Sequence, residues 1–238
     1  MNILIIIRSI IYNLFIVFWN CFVGTIFLPA LFLPQNNLLL RLSAKIWGTG
    51  LYLGLRVICN LKIEVRGIEN LPSKPYIIAS KHQSALDVIV FNMLLDFPKF
   101  IMRKSLIYIP FMGIYCYRMG MIFIDRSGGA STLKSMLKRA KKVIDSNDII
   151  IIYPEGTRID PGKKGKYNPG IAAIYKACNA EVVPVALNTG VFWKKNGFLK
   201  LPGTFIVEFL PSIKAGLDKD NFLETLENQI ESACAKQD

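Results

Sequence analysis

Histidine is nearly absent from this chain: among 238 residues His82 alone carries an imidazole. Metal sites that need two or more histidines are thereby excluded, and any step that requires an imidazole must use His82. Cysteine is sparse as well. The five residues at 21, 59, 116, 178 and 234 are odd in number, widely spaced and contain no C-x-x-C pair, so neither a disulfide framework nor a zinc site is signalled. Acidic residues are few, 17 against 29 Lys and Arg, and the first 60 positions hold none. The G-x-x-x-x-G-K-[ST] phosphate loop is missing, as are internal repeats and low-complexity tracts. What is present is a chain that is 52% hydrophobic with a net charge of +12. It is too apolar for disorder and long enough for one domain with a full core and an appendage. The basic balance alone points to a polyanion, either nucleic acid or an anionic membrane surface. The apolar excess and the dispersal of the basic groups favour the membrane.

The apolar excess is concentrated at the start. Residues 9–40 carry no formal charge, between Arg8 and Arg41. Such a run is long enough to span a bilayer as a helix, for which about 20 apolar residues suffice. Asn13 and Asn20 interrupt it, and Pro29 and Pro34 close it. A cleaved signal peptide fits poorly, since the run is long and no small-residue cleavage site follows. After the polar turn Pro34-Gln35-Asn36-Asn37, residues 38–58 are again apolar, with scattered Arg and Lys, as in an interfacial or partly buried helix. Two readings stand: a helix pair dipping into the membrane with its arginines at the headgroups, or one transmembrane span. Either way residues 1–60 form a membrane-associated helical segment, and residues 61–238 form a separate unit with a net charge of +8.

That second unit reads as α/β. Short apolar runs at 76–80, 121–124, 149–153, 182–186 and 205–209 predict strands. Leu133, Met136, Leu137, Ala140, Val143 and Ile144 recur at helical spacing, with Lys134, Lys138, Arg139, Lys141 and Lys142 opposite. A terminal amphipathic helix is expected over 220–236. Alternation of strands and helices predicts a mostly parallel central sheet covered by helices. Pro184, inside an apolar run, predicts an edge strand or a bulge.

The chemistry-bearing residues follow the predicted strands. His82 and Asp87 would diverge by about 140° if both were helical. With His82 ahead of a helix and Asp87 in its first turn, the two side chains meet: Asp87 accepts from one ring nitrogen, and the other is free to take a proton from a hydroxyl. The competing reading is a capping box, with Ser84 as N-cap and Asp87 three residues on. Next, Arg126 follows the run Gly120-Met121-Ile122-Phe123-Ile124-Asp125, at the sheet rim where ligands of α/β proteins bind, and can fork onto a phosphate or carboxylate. A third block, Tyr153-Pro154-Glu155-Gly156-Thr157-Arg158, has Pro154 to stop the strand and Gly156 to turn the backbone, presenting Glu155, Thr157 and Arg158 on one loop. The fourth is Val183-Pro184-Val185. Taken singly, each has an ordinary structural explanation.

In this order and spacing the four blocks resemble the glycerolipid acyltransferases related to 1-acyl-sn-glycerol-3-phosphate acyltransferase, over about residues 60–215. The departures are Lys81 where Asn is common, Ala85 where an aromatic is frequent, Tyr153 for Phe and Ile159 for Ser; they leave the subfamily and the acyl-chain fit open. The resemblance implies that His82, oriented by Asp87, deprotonates the free hydroxyl of a lysophospholipid, which attacks the thioester of acyl-CoA or acyl carrier protein. No protein nucleophile and no bound cofactor or metal is implied. Backbone N–H groups at the helix start are the expected oxyanion donors. Arg126 and Arg158 are expected to grip the acceptor phosphate, with Glu155 ordering the arginines or the glycerol hydroxyls and Gly156 and Thr157 shaping the loop. The product would be phosphatidic acid, made at the cytoplasmic face of a membrane. Lys163, Lys164, Lys194 and Lys195, with Phe192-Trp193, would suit an anionic interface. Two other readings use the same features: another acceptor (glycerol-3-phosphate or a lyso-aminolipid), and a non-catalytic protein that binds anionic lipid.

Overall fold

The structure, a computed structural model, describes residues 2–125 and 128–237. It opens with a long helix, α1 (Ile3–Ile26), whose first turn is capped by the Asn2 side chain. A 3-10 turn at Leu28–Phe32 and the polar bend that follows lead into α2 (Leu38–Cys59). Asn37 starts α2 by accepting the Leu40 N–H, and Asn60 ends it in the left-handed conformation, as short amide side chains commonly do at helix ends.

From there strands and helices alternate: β1 (Leu61–Arg66), β2 (Ile77–Ser80), α3 (Leu86–Leu94), β3 (Lys99–Arg103), α4 (Met112–Arg118), β4 (Ile122–Ile124), α5 (Gly129–Asp145), β5 (Ile150–Ile152), α6 (Gly170–Cys178), β6 (Val182–Leu187), α7 (Thr189–Phe192), β7 (Gly203–Phe209) and α8 (Lys219–Cys234). Among the described residues the strands form one sheet in the order β1-β7-β6-β2-β5-β3-β4. The pairing is parallel except between β6 and β7, so the sheet is mostly parallel and helix-covered, as the alternation predicted.

Both faces of the central strands are buried, which is why those strands read as unbroken apolar runs. Ile78, Ile151, Val183 and Val185 face a core shared with α1, α2, α3 and α4. Ile77, Ile150, Ile152 and Val182 face α5, α6 and α8. Two strands escaped the sequence reading. In β1, Lys62, Glu64 and Arg66 alternate with apolar residues at the sheet edge, where outward charges discourage further pairing. β3 begins with Lys99, a buried lysine whose ammonium meets Asn36 Oδ1 at 2.6 Å and the Met119 carbonyl at 2.9 Å; it pins the α1–α2 bend to the sheet. Pro184 is not on an edge, since β6 lies between β7 and β2. It sits at a bulge instead. The antiparallel register slips by one residue between the Val182–Ile213 bridge and the Val185–Phe209 pair, so the missing proline N–H falls where the ladder is already interrupted.

The apolar helices do not stand apart from this core. α1 lies along the domain for most of its length. Its Ser9 and Asn13 meet the 198–200 segment, the Tyr12 hydroxyl donates to the Leu51 carbonyl at 3.0 Å, and Trp19 Nε1 donates to the Trp47 carbonyl at 3.2 Å. Its other face is bare: Ile3, Ile7, Ile10, Leu14, Val17 and Phe18 are exposed, at the spacing of a single helical stripe. Trp193 is half-buried and packs edge-on against Tyr12 with ring centroids 6.0 Å apart. Lys164 is tied to Glu227 at 2.6 Å.

Close approach of α1 to α2 depends on Gly50, where an added Cβ would lie 2.1 Å from the Trp19 ring. Leucine is the better helix former, yet Gly50→Leu is expected to destabilise the fold by about 1–3 kcal/mol through overpacking. Thermal unfolding in detergent reads this; an unchanged or raised Tm would mean that α1 is not seated here.

Candidate active site

Three adjacent strands in the middle of the sheet, β6, β2 and β5, deliver the site at their carboxyl ends, where loops are free to carry chemistry. β2 ends at Ser80, and the chain passes through Lys81, His82, Gln83 and Ser84 before α3 begins. His82 therefore precedes the helix and Asp87 sits in its first turn, as the spacing required. His82 Nδ1 lies 2.8 Å from Asp87 Oδ2. The same oxygen accepts the backbone N–H groups of Gln83 at 2.8 Å and Ser84 at 3.0 Å. Oδ1 accepts the hydroxyl of Thr189, which stands just beyond β6. An oxygen already occupied by two N–H groups acts toward the imidazole only as an acceptor. Nδ1 therefore carries the ring proton and Nε2 presents the lone pair.

Capping and orienting turn out to be one arrangement. Ser84 is not the N-cap, which is Ala85; Ser84 Oγ instead accepts the Leu86 N–H at 3.2 Å. Asp87 reaches back to two backbone N–H groups and holds His82 at once. Of the N–H groups around the helix start, those of Gln83 and Ser84 are taken by Asp87 and that of Leu86 by Ser84.

The floor of the site comes from β5. Tyr153 stacks on the His82 ring, with centroids 3.8 Å apart and planes inclined by 16°. Among the described residues its buried hydroxyl has no partner, and burial, with Asp87 nearby, pushes the phenol well above its ordinary pKa. The turn after it closes through the Gly156 N–H and the Tyr153 carbonyl at 2.9 Å, with Gly156 at φ +68°, a conformation that suits glycine. Thr157 is half-buried on this loop.

Glu155 is turned toward Lys81, and the Arg158 guanidinium is on Asn196 instead. The buried Glu155 carboxylate is turned inward, 2.8 Å from the Lys81 ammonium in ion-pair contact rather than a well-aligned hydrogen bond, and 3.4 Å from the His82 backbone N–H. Lys81 also donates to both carboxylate oxygens of Glu231 on α8, at 2.8 and 3.0 Å, and to the Lys163 carbonyl. The Tyr167 hydroxyl donates to Glu231 as well. Burial works to lower the Lys81 pKa, but Glu155 and Glu231 outweigh it and the net direction is up. For Glu155 burial outweighs Lys81 and its pKa also rises. Neither Lys81 as a counter-ion nor Thr189 and Glu231 as partners could be picked from the sequence. Their partners lie 74, 102 and 150 positions away, and the only local sign was the departure at position 81.

Arg158 lies on the same loop, half-buried, with its guanidinium on Asn196 Oδ1 at 3.1 Å. The next residue, Ile159, donates its backbone N–H to the His82 carbonyl at 2.8 Å, so the Arg158 loop and the histidine are bound together through the main chain. Arg126 lies outside the described residues; the strand leading to it, β4, is the sheet edge, three strands from β2. Among the described residues no group of three His, Cys, Asp or Glu side chains could hold a metal ion.

An apolar cleft, partly open to solvent, runs between α1, α2, α3 and α4. Val88 and Asn92 line it from α3, the helix that carries Asp87, and Phe100, Met102, Met112 and Met121 line it further along. Cys116 also lines it, and burial pushes that thiol up to about 12.

Fold and site together define an α/β protein with a histidine–carboxylate pair at its strand ends and an apolar cleft. A family model described as Acyltransferase matches residues 62–188, and the chain belongs to that family. It is 36% identical over 160 residues to the 1-acyl-sn-glycerol-3-phosphate acyltransferase of Pseudomonas aeruginosa, covering 67% of this chain and 62% of that protein. It is 30% identical over 191 residues to the protein of the same name from Saccharomyces cerevisiae, covering 74% and 61%. The chain thus spans less than two-thirds of the length of these curated relatives. The crystal structure of the 1-acyl-sn-glycerophosphate (LPA) acyltransferase of Thermotoga maritima shares the fold, with a TM-score of 0.79 over 97% of this chain and 96% of that one at 21% identity.

The Thr189–Asp87 contact gives a test of the site's construction. Thr189→Val is expected to leave a buried carboxylate oxygen unsatisfied and cost about 1–3 kcal/mol, while Thr189→Ser is nearly neutral. Equal thermal stability of the two variants would show that the hydroxyl is not holding Asp87.

Proposed function

We propose that the protein transfers a fatty acyl group from a thioester donor, acyl-CoA or acyl carrier protein, to the sn-2 hydroxyl of 1-acyl-sn-glycerol-3-phosphate, giving phosphatidic acid. The observation that carries this reading is the His82–Asp87 pair, held by a fully paired buried carboxylate in a chain of the acyltransferase family that also has an apolar cleft. His82 Nε2 takes the hydroxyl proton as the oxygen attacks the thioester carbonyl. The tetrahedral intermediate then expels the thiolate, which receives the same proton from Nε2. The imidazolium formed between these steps is stabilised by Asp87 through Nδ1. The reaction so drawn needs no bound cofactor and no covalent protein intermediate. Arg158 and Arg126 are assigned to the acceptor phosphate; for Arg158 the support is its place on a loop tied to the His82 backbone.

Membrane association belongs to the same reading. One face of α1 is held by the α/β domain from Ser9 to Gly24, and the other is a bare apolar stripe. A helix so fixed along its length lies in one leaflet, because crossing the bilayer would drag the polar domain with it. The basic, acid-free first 60 residues fit the cytoplasmic leaflet. There a lipid acceptor reaches His82 sideways, without passing through water.

Acyl transfer by the purified protein in detergent, with lysophosphatidate and each donor in turn, tests the reading; a folded preparation inert with both donors would overturn it. His82→Ala is expected to lower kcat by about 10²–10⁴ while vesicle binding is retained. Arg158→Ala is expected to raise KM for lysophosphatidate at least about tenfold, the scale of a lost charge-assisted contact, with little change in the donor KM. The opposite split would reassign that arginine. A phosphate-free acceptor that outcompetes lysophosphatidate would replace the proposed substrate.

A further inference from the structure

Between β3 and α4 the chain makes a short 3-10 turn (Lys104–Tyr108) and a bend at Ile109–Phe111. This hairpin of elements is apolar on the wrong side for a soluble protein. Tyr108 is 79% exposed and Tyr117 54% exposed, with Ile109, Phe111 and Ile114 exposed between them. Phe111, Ile114 and Tyr117 succeed one another at the three-residue spacing of one helix face, while Tyr115 and Met119 on the opposite face are buried. Large exposed patches of this kind mark an interaction surface.

Its charge says which kind. From Phe97 to Ile124 the sequence holds no Asp or Glu, while Lys99, Arg103, Lys104 and Arg118 are all basic. Arg103 and Lys104 are exposed at the root of the hairpin. Aromatic residues with a polar tip beside basic side chains suit the headgroup level of a bilayer. The patch is also continuous with the bare stripe of α1. The Phe111 ring lies over Gly24, where a side chain would come within 3.2 Å of it, and the Tyr115 hydroxyl donates to the Gly24 carbonyl at 2.7 Å. Arg118 donates to the Leu33 carbonyl at the end of the neighbouring 3-10 turn, where Phe32 is also exposed.

We infer that the segment Tyr108–Tyr117 is a second membrane-inserting element, entering the same leaflet as α1 with Arg103 and Lys104 on the anionic headgroups. This rests on the membrane-associated reading of α1. Two consequences follow from the geometry. The protein is held along two adjoining elements, α1 and this hairpin, which fixes its tilt as well as its depth. Phe111 and Met112 also line the apolar cleft, so the cleft's lip lies at the lipid surface.

Partitioning of the full chain onto phosphatidylglycerol-containing vesicles, with Tyr108→Asp/Tyr117→Asp beside the wild type, tests the inference. The double variant is expected to bind at least about tenfold more weakly, since each residue withdraws apolar area and adds a repelled charge. Its turnover of a short-chain, monomeric lysophosphatidate in detergent-free solution is expected to be unchanged. Tyr108→Trp is expected to add tryptophan emission that lipids brominated near the headgroup quench. Equal partitioning of variant and wild type, with no added quenching, would overturn the inference while leaving α1 as the anchor. A wild-type dimer that the double substitution converts to monomer would overturn it in favour of a second copy of the chain. Failure of the wild type to bind vesicles at all would instead remove the underlying membrane reading.

Discussion

A carboxylate with no exposed surface is tolerated only when its oxygens are satisfied, and Asp87 is the residue around which the site is closed. Its two oxygens collect the His82 ring N–H, the Gln83 and Ser84 backbone N–H groups and the Thr189 hydroxyl. Each donor comes from a different task. The backbone groups belong to the loop just ahead of α3, the hydroxyl to the second residue beyond β6, and the imidazole is the chemical group itself. Starting the helix, joining two strand ends and fixing the tautomer of the histidine are thus one constraint. The N–H groups spent on it are then unavailable for other work.

A second buried charge, Lys81, ties the same loop to parts of the chain far away in sequence. It lies between Glu155, from the turn after β5, and Glu231, from α8. Removing Lys81 would leave two carboxylates without their shared counter-ion, which is the costly case for buried ion pairs. The C-terminal helix is thereby connected to the residue preceding His82, although none of its side chains lines the cleft.

On the opposite face of the sheet from α8, the apolar N-terminal helices play two parts. Their inner sides complete the core and wall the cleft, and the outer side of α1 stays bare. Gly24, Gly50 and Gly54 let rings of Phe111, Trp19 and Phe15 pack against backbone. The loops of the site and the bare apolar surface are therefore parts of one packing arrangement.

Periodicity determined most of the architecture in the sequence alone. The central strands are buried on both faces and so read as apolar runs, and α5 and α8 each show one apolar stripe. The His82–Asp87 pairing was also legible, because five positions across a strand–helix junction bring two side chains together by local geometry. The edge strand β1 and the lysine-led β3 were not, because their charged residues break the apolar signal. Nor could the sequence show that α1 is held along the domain; its contacts with residues 198–200 and with Tyr115 join residues far apart along the chain. The inward turn of Glu155, the partners of Lys81 and the bulge that accommodates Pro184 depend on tertiary structure for the same reason. Each is a contact between residues far apart along the chain, and such contacts exist only once the sheet has set which strand ends are neighbours.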